Sequence, residues 1–68
     1  MTLTADMLTL ADCRFVSERT WNMKPDSSMI VRLSFGTVRL FGDGAIMVNG
    51  STEIKPRDTW SRCHEVVR

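Results

Sequence analysis

The side chains most able to do chemistry are the single histidine, His64, and the two cysteines, Cys13 and Cys63. A catalytic thiol–imidazole pair needs both groups on one face, yet adjacent residues do not face each other on a helix and point to opposite sides of a strand. Cys63 and His64 therefore form no such pair, and Ser61 and Glu65 are also only neighbours in sequence. The sequence predicts no catalytic residue, and so a protein that is not an enzyme.

The same residues are weak candidates for a metal centre. Cysteine-based zinc sites usually contain two cysteines separated by two residues, and the chain has no such spacing. Glycine-rich phosphate loops and dinucleotide motifs are also missing from the sequence. Gly42-Asp43-Gly44 is interpreted as a turn, because no helix is expected directly after it. We expect no metal and no cofactor.

The cysteine count also bears on the compartment. Cys13 and Cys63 could form one disulfide, but small secreted domains normally carry roughly four to eight cysteines. The count favours reduced thiols that pack as small core residues in a cytoplasmic protein, although their pairing stays open. No apolar run approaches the ~18 residues of a membrane span, and the first residues lack the pattern of a secretory signal. We therefore expect no association with a membrane.

Length and charge limit the classes of function. The chain has 68 residues, of which 43% are hydrophobic, and a formal net charge of +1. A domain of this size buries only ~60% of the surface of its unfolded chain, and deep-cleft or dinucleotide-binding folds need roughly 150 residues or more. The balanced charge argues against a protein that coats nucleic acid. We expect one small domain over residues 1–68.

Two proline-containing breaks divide that domain into three segments, 1–28, 29–55 and 56–68. Residues 29–55 alternate apolar and polar side chains between glycine turns, which predicts an antiparallel meander. A two-residue loop at Phe35-Gly36 would place Arg32 opposite Arg39 in the first hairpin. That register collects the apolar side chains of both strands on one face, and a one-residue slip would turn them to the other.

In the second hairpin, three loop residues with a left-handed Gly44 place Leu40 opposite Ile46. Ile54 then lies opposite Ile46 from the other side. The expected inner face is entirely apolar and consists of Val31, Leu33, Val38, Leu40, Ile46, Val48 and Ile54.

The terminal segments are expected to cover that face. Apolar spacing predicts a helix over residues 4–12, with Thr4 as its N-cap. Residues 14–22 are interpreted as an additional strand. Residues 59–66 favour a short helix capped by Asp58, and a strand there stays open. The fold class is thus α+β: a small single-layer antiparallel meander of three to five strands, covered on one face by a short helix.

The opposite face of the meander contains the candidate binding residues. Arginine, methionine and aromatic side chains are enriched in the centres of protein interfaces. Ala45, Glu53 and Lys55 are expected on the same face. Trp21 and Trp60 are instead expected to pack at the edge of the core. The predicted partner-binding residues are Ile30, Arg32, Arg39, Phe41 and Met47.

The expected function is non-enzymatic binding that regulates or inhibits a larger protein partner. A sheet that stacks bases usually presents two or three aromatic rings, and here Phe41 is the only one available. A homodimer is a further option for so small a domain, and its size fits a phage or mobile-element protein. The alternative is a nucleic-acid-binding regulator that uses Arg32, Arg39, Lys55, Arg57 and Arg62.

Overall fold

Alternation of apolar and polar side chains, interrupted by turns, produces four strands in a computed structural model that describes residues 2–67. The strands are β1 (Ser28–Leu33), β2 (Gly36–Phe41), β3 (Ile46–Val48) and β4 (Ser51–Ile54). They pair antiparallel in the order β1-β2-β3-β4. Two α-helices accompany the sheet. The α+β fold class and the antiparallel meander are confirmed.

The turn of the first hairpin lies one residue earlier than predicted, which shifts the pairing register of its strands by two residues. Leu33 pairs with Gly36, so the two loop residues are Ser34 and Phe35. Gly36 has a φ of 134°, which glycine adopts without a Cβ clash. Asp12 binds the loop through the backbone N–H of Ser34. This long-range contact was not visible in the strand pattern.

The register of β1 against β2 differs accordingly. Arg39 lies opposite Ile30, whereas Arg32 lies opposite Thr37. The prediction that the two arginines face each other directly was wrong. Because the shift is an even number of residues, every side chain nevertheless stays on its predicted face.

The second hairpin forms as expected. Leu40 pairs with Ile46, and Gly44 has a positive φ of 98°. The carboxylate of Asp43 accepts a hydrogen bond from the backbone N–H of Ala45 at 3.0 Å, which closes the three-residue loop. Ile46 also pairs with Ile54, with an irregularity in the ladder immediately afterwards.

The core lies between the inner face of the sheet and the segments on either side of it in sequence. All predicted inner-face residues are buried except Val48, which is half-buried. The N-terminal segment adds Leu3, Leu8, Cys13 and Val16 to the same cluster.

Helix α1 (Leu10–Thr20) differs from both N-terminal predictions, the helix over residues 4–12 and the strand over residues 14–22. A 3-10 turn, Ala5–Met7, occupies part of the predicted helix over 4–12, and the predicted strand over 14–22 is largely helical. Thr9 is the N-cap: its hydroxyl accepts from the N–H of Asp12 at 3.1 Å, and its own N–H donates to the Asp12 carboxylate at 3.0 Å. This reciprocal capping box starts the helix. Thr4, the predicted cap, makes no side-chain capping bond.

Helix α2 (Pro56–Val67) confirms the C-terminal helix and begins earlier than expected. Pro56 is its first residue, a position where the missing N–H costs no helical hydrogen bond. Asp58 therefore lies inside the first turn and is not the cap. Within residues 2–67, no helix is long and apolar enough to cross a membrane.

Candidate functional site

The outer face of the sheet is defined by the strand residues that alternate with the buried ones. Ile30 at its centre is 65% exposed although it is a large apolar residue. The outer face consists of Ser28, Ile30, Arg32, Thr37, Arg39, Phe41, Met47 and Thr52.

Cross-strand pairing places three of the predicted binding residues in one line. Ile30 lies opposite Arg39, Arg39 opposite Met47, and Met47 opposite Thr52. We call this line the central row. A shallow groove of about 260 Å³ lies along it. An exposed guanidinium flanked by two apolar side chains can contact a carboxylate while its neighbours contact apolar surface.

The two arginines of the outer face are separated along the strands. The Nη1 atom of Arg39 donates to the hydroxyl of Ser28 at 3.1 Å. Ser28 and Arg32 lie on opposite sides of Ile30 in β1, so this bond draws the Arg39 guanidinium away from Arg32. The repulsion expected between directly opposed like charges is thereby avoided. Both guanidinium groups stay exposed and available to a ligand.

Three residues that the sequence assigned to this face are not fully exposed. Phe41 lies opposite Ser28 and is half-buried. Ala45 is buried, so its prediction as an outer-face residue was wrong. Glu53 is the extra residue of the irregular ladder, since Thr52 pairs with Met47 and the next paired residue is Ile54. Glu53 lines a different groove, which leaves the outward-pointing strand residues with two arginines and no carboxylate.

The residues of the nucleic-acid alternative do not form one patch with the outer face. Lys55 follows β4, whereas Arg32 lies on β1 at the other edge of the sheet. With strands spaced ~4.8 Å apart, the two edges are roughly 14 Å apart. Arg57 is exposed in the first turn of α2, and Arg62 is half-buried with its Nε donating to the carbonyl of Leu8 at 3.4 Å.

Arg62 also lines a groove of about 410 Å³ between the N-terminal segment and α2. The charged groups around it are mostly acidic: Asp6, Glu53, Asp58 and Glu65. Among residues 2–67, however, no three His, Cys, Asp or Glu side chains are arranged to hold a metal ion. A phosphate backbone would be repelled from this groove.

Asp12 is a positioning residue that sequence reasoning missed. Its buried carboxylate accepts from the backbone N–H of Ser34 at 2.8 Å, from the Ser34 hydroxyl, and from the N–H of Thr9. Burial raises the pKa of this carboxyl, but hydrogen bonds from Ser34 and Thr9 favour the charged form and bring the pKa below its ordinary value of 3.8. Asp12 therefore joins α1 to the first hairpin. The Thr-x-x-Asp spacing was the available signal.

Cys13 and Cys63 form a disulfide that joins α1 to α2, with their Cα atoms 5.2 Å apart. The expectation of reduced thiols was wrong. Packing of the two helices against one another brings together cysteines separated by 50 positions, which no local pattern could show. Because disulfides are rare in reducing compartments, this bond weighs against the cytoplasmic location, which stays a prediction.

The two helices, α1 and α2, form what we call the helical layer. Both tryptophans lie at its surface, contrary to the expected core-edge packing. Trp21 at the end of α1 is 85% exposed and Trp60 on α2 is 60% exposed. The Trp60 indole nitrogen approaches Gly44 so closely that a Cβ there would lie 3.0 Å from it. Shallow grooves beside the two rings share Ser17 as a lining residue. The molecule thus exposes apolar groups on both of its layers.

Comparisons with known proteins returned no match to a protein-family model, a curated protein or a solved structure. The surfaces of the chain are therefore the basis for assigning its function.

Proposed function

We propose that this chain is a small non-enzymatic binding protein that regulates or inhibits a larger protein by docking the outer face of its sheet. The supporting observation is the central row, in which Arg39 lies between the 65% exposed Ile30 and Met47. Interface centres favour this mixture of arginine and large apolar side chains. The partner surface should be apolar at its centre.

The charge of the outer face narrows the class of partner further. The outward-pointing strand residues include Arg32 and Arg39 but no carboxylate. A partner with acidic groups at the rim of its apolar centre would complement this arrangement and would associate faster at low salt. The partner chemistry is therefore an acidic, partly apolar protein surface.

A protein ligand is favoured over nucleic acid by two features. Phe41, the only aromatic side chain on the outer face, is half-buried, which leaves little surface for base stacking. The remaining basic candidates lie elsewhere, and Arg62 lines an acidic groove. The experiment must therefore distinguish a protein partner from nucleic acid bound through Arg32 and Arg39.

The test is affinity capture with the full chain and matched surface variants. A stoichiometric protein should be retained by the wild type and by Trp21→Ala, and lost with the double variant Arg39→Glu, Met47→Ala. Truncating central interface residues costs about 2 kcal/mol or more each, roughly a thirtyfold loss of affinity. Far-UV circular dichroism checks that all variants are folded.

Two further variants distinguish the nucleic-acid alternative: joint replacement of Arg32 and Arg39, and Met47→Ala alone. If the ligand is nucleic acid, retention on a DNA column should fall steeply with salt and should be lost when Arg32 and Arg39 are replaced, while Met47→Ala has little effect. Retention that is lost only with Trp21→Ala would assign binding to the helical layer and contradict the proposal.

A further inference from the structure

The free edge of β1 presents a row of unpaired backbone groups. Leu33 and Gly36 pair at the closed end of the hairpin, and the N–H of Gly42 donates to the carbonyl of Ser27 at 3.0 Å at its open end. In an antiparallel pair, alternate residues turn their backbone groups towards the partner strand. Odd-numbered positions of β1 therefore face β2. The backbone groups that face away from β2 belong to Ser28, Ile30 and Arg32.

The two edges of the sheet differ in how far they are protected. β4 is four residues long, contains Glu53 as the extra residue of the irregular ladder, and is followed closely by Pro56. Short length, irregularity and proline are the usual features that prevent an edge from pairing with another strand. β1 is six residues long, contains no proline or irregularity, and has Arg32 near its end as its one charged residue. Among residues 2–67, β2 is the only strand that pairs with it.

We propose that β1 pairs antiparallel with β1 of a second copy of the chain, with Ile30 of each copy opposite Ile30 of the other. The outward backbone groups are distributed symmetrically about Ile30, so all three residues find partners: Ser28 pairs with Arg32 on each side. This joins two four-stranded sheets into one continuous sheet.

The alternative register, centred on Val31, satisfies fewer backbone groups. It would place Ser28 opposite Ser34 of the second copy. The Ser34 N–H already donates to Asp12 at 2.8 Å, so it is not available for a new strand. The register centred on Ile30 uses only groups at the free edge.

Side-chain placement favours the same register. Even-numbered residues pair with even-numbered residues, so the outer faces of the two copies lie on one side of the joined sheet. Arg32 then lies opposite an uncharged serine and not opposite another arginine. The exposed apolar side chain of Ile30 is covered by its copy at the centre. Self-association does not depend on the proposed partner protein, and it would double the surface offered to one.

The test measures the oligomeric state of the full chain by sedimentation over a dilution series up to millimolar concentration. The wild type should form a dimer. Ile30→Lys and Ile30→Glu should each be monomeric, because they place like charges opposite each other, and their equimolar mixture should form a heterodimer. Thr52→Lys and Thr52→Glu, at the other edge of the same face, should dimerise as the wild type does.

A backbone variant separates edge pairing from side-chain effects. Ile30→Pro removes an N–H that β2 does not use, so the chain should fold, by far-UV circular dichroism, and stay monomeric. A wild type that is monomeric at every concentration would overturn the proposal. So would dimers that persist in both charged variants, or a mixture of them that stays monomeric.

Discussion

The sheet and the helical layer are held in place by different kinds of interaction. Each strand pairs with the strand next to it in sequence, so the sheet is built from local hairpins. The helices pack in the same core, the disulfide joins them to each other, and a few long-range hydrogen bonds join them to turns of the sheet. These are the bonds of Asp12 with Ser34 and the bond from the buried Thr59 hydroxyl to the Gly44 carbonyl at 2.9 Å. Single residues therefore matter more to the attachment of the helices than to the sheet.

The outer face of the sheet takes no part in attaching the helices. None of the residues that attach the helices lies on the outer face of the sheet. That face can change in sequence with little effect on the fold, as a binding surface must when its partner changes. Five stability measurements, in decreasing order of expected effect, test this difference between the layers.

The largest loss of stability is expected from removing the disulfide. The double variant Cys13→Ala, Cys63→Ala should lower the free energy of unfolding by about 4 kcal/mol, because the bond closes a loop with a sequence separation of 50 that contains the whole sheet. Urea unfolding followed by circular dichroism measures the change. Reduced wild type should match the variant, whereas a loss below about 1 kcal/mol would show that hydrogen bonds and packing alone attach the helices.

Replacing Asp12 by Ala should cost about 2–3 kcal/mol, because it removes a helix cap and leaves the Ser34 N–H without its partner. The measurement is again urea unfolding at neutral pH. The matched control is Asp26→Ala, an exposed carboxylate in the linker before β1, which should be nearly neutral. Equal losses in the two variants would contradict the role given to Asp12.

The charge of Asp12 also predicts a pH dependence. Its pKa in the folded protein lies below the ordinary 3.8, so its contribution to stability is complete above that value and is lost as pH falls through the folded pKa. Unfolding free energies measured from neutral pH to pH ~3 should therefore fall more for the wild type than for Asp12→Asn. Parallel pH profiles would show that the carboxylate is not the group responsible.

Thr59→Val should cost about 1–2 kcal/mol, since the shape of the side chain is kept while the Gly44 carbonyl loses its donor. Thr59→Ser keeps the hydroxyl and separates the hydrogen bond from the packing of the methyl group. A thermal melt of the three proteins compares them. If the serine variant is the less stable of the two, packing and not the hydrogen bond attaches α2 to the turn.

The smallest effect is expected on the outer face. Arg39→Ala and Ile30→Thr should each change the free energy of unfolding by no more than about 0.5 kcal/mol, because both side chains are exposed. Urea unfolding at low protein concentration avoids any contribution from self-association. A loss of 2 kcal/mol or more would show that the outer face supports the sheet and is not free to serve binding.

Prediction from the sequence succeeded where the signal was local. The period-two pattern identified the buried strand residues, and Gly44 with Asp43 identified the second turn. The first turn was misplaced by one residue, and the register of its strands by two, because Asp12, distant in sequence, binds Ser34. Face alternation alone cannot detect such an even shift.

The helical layer was predicted less well, for a related reason. Phe15 and Val16 have high strand propensity, which favoured a strand over residues 14–22. Burial of Val16 in the core and the cap formed by Thr9 and Asp12 outweigh that propensity and make the segment helical. The cap spacing was present in the sequence and was overlooked, whereas the burial of Val16 depends on the sheet.

The sequence by itself determined the faces of the meander, since alternate side chains must point to opposite sides of a strand whatever the strand packs against. It thereby also determined that Ile30, Arg32, Arg39 and Met47 share one surface. Only the tertiary structure decided their order on that surface, the pairing of Cys13 with Cys63, and the exposure of the tryptophans. These properties depend on contacts between residues far apart in the chain, which no local period encodes.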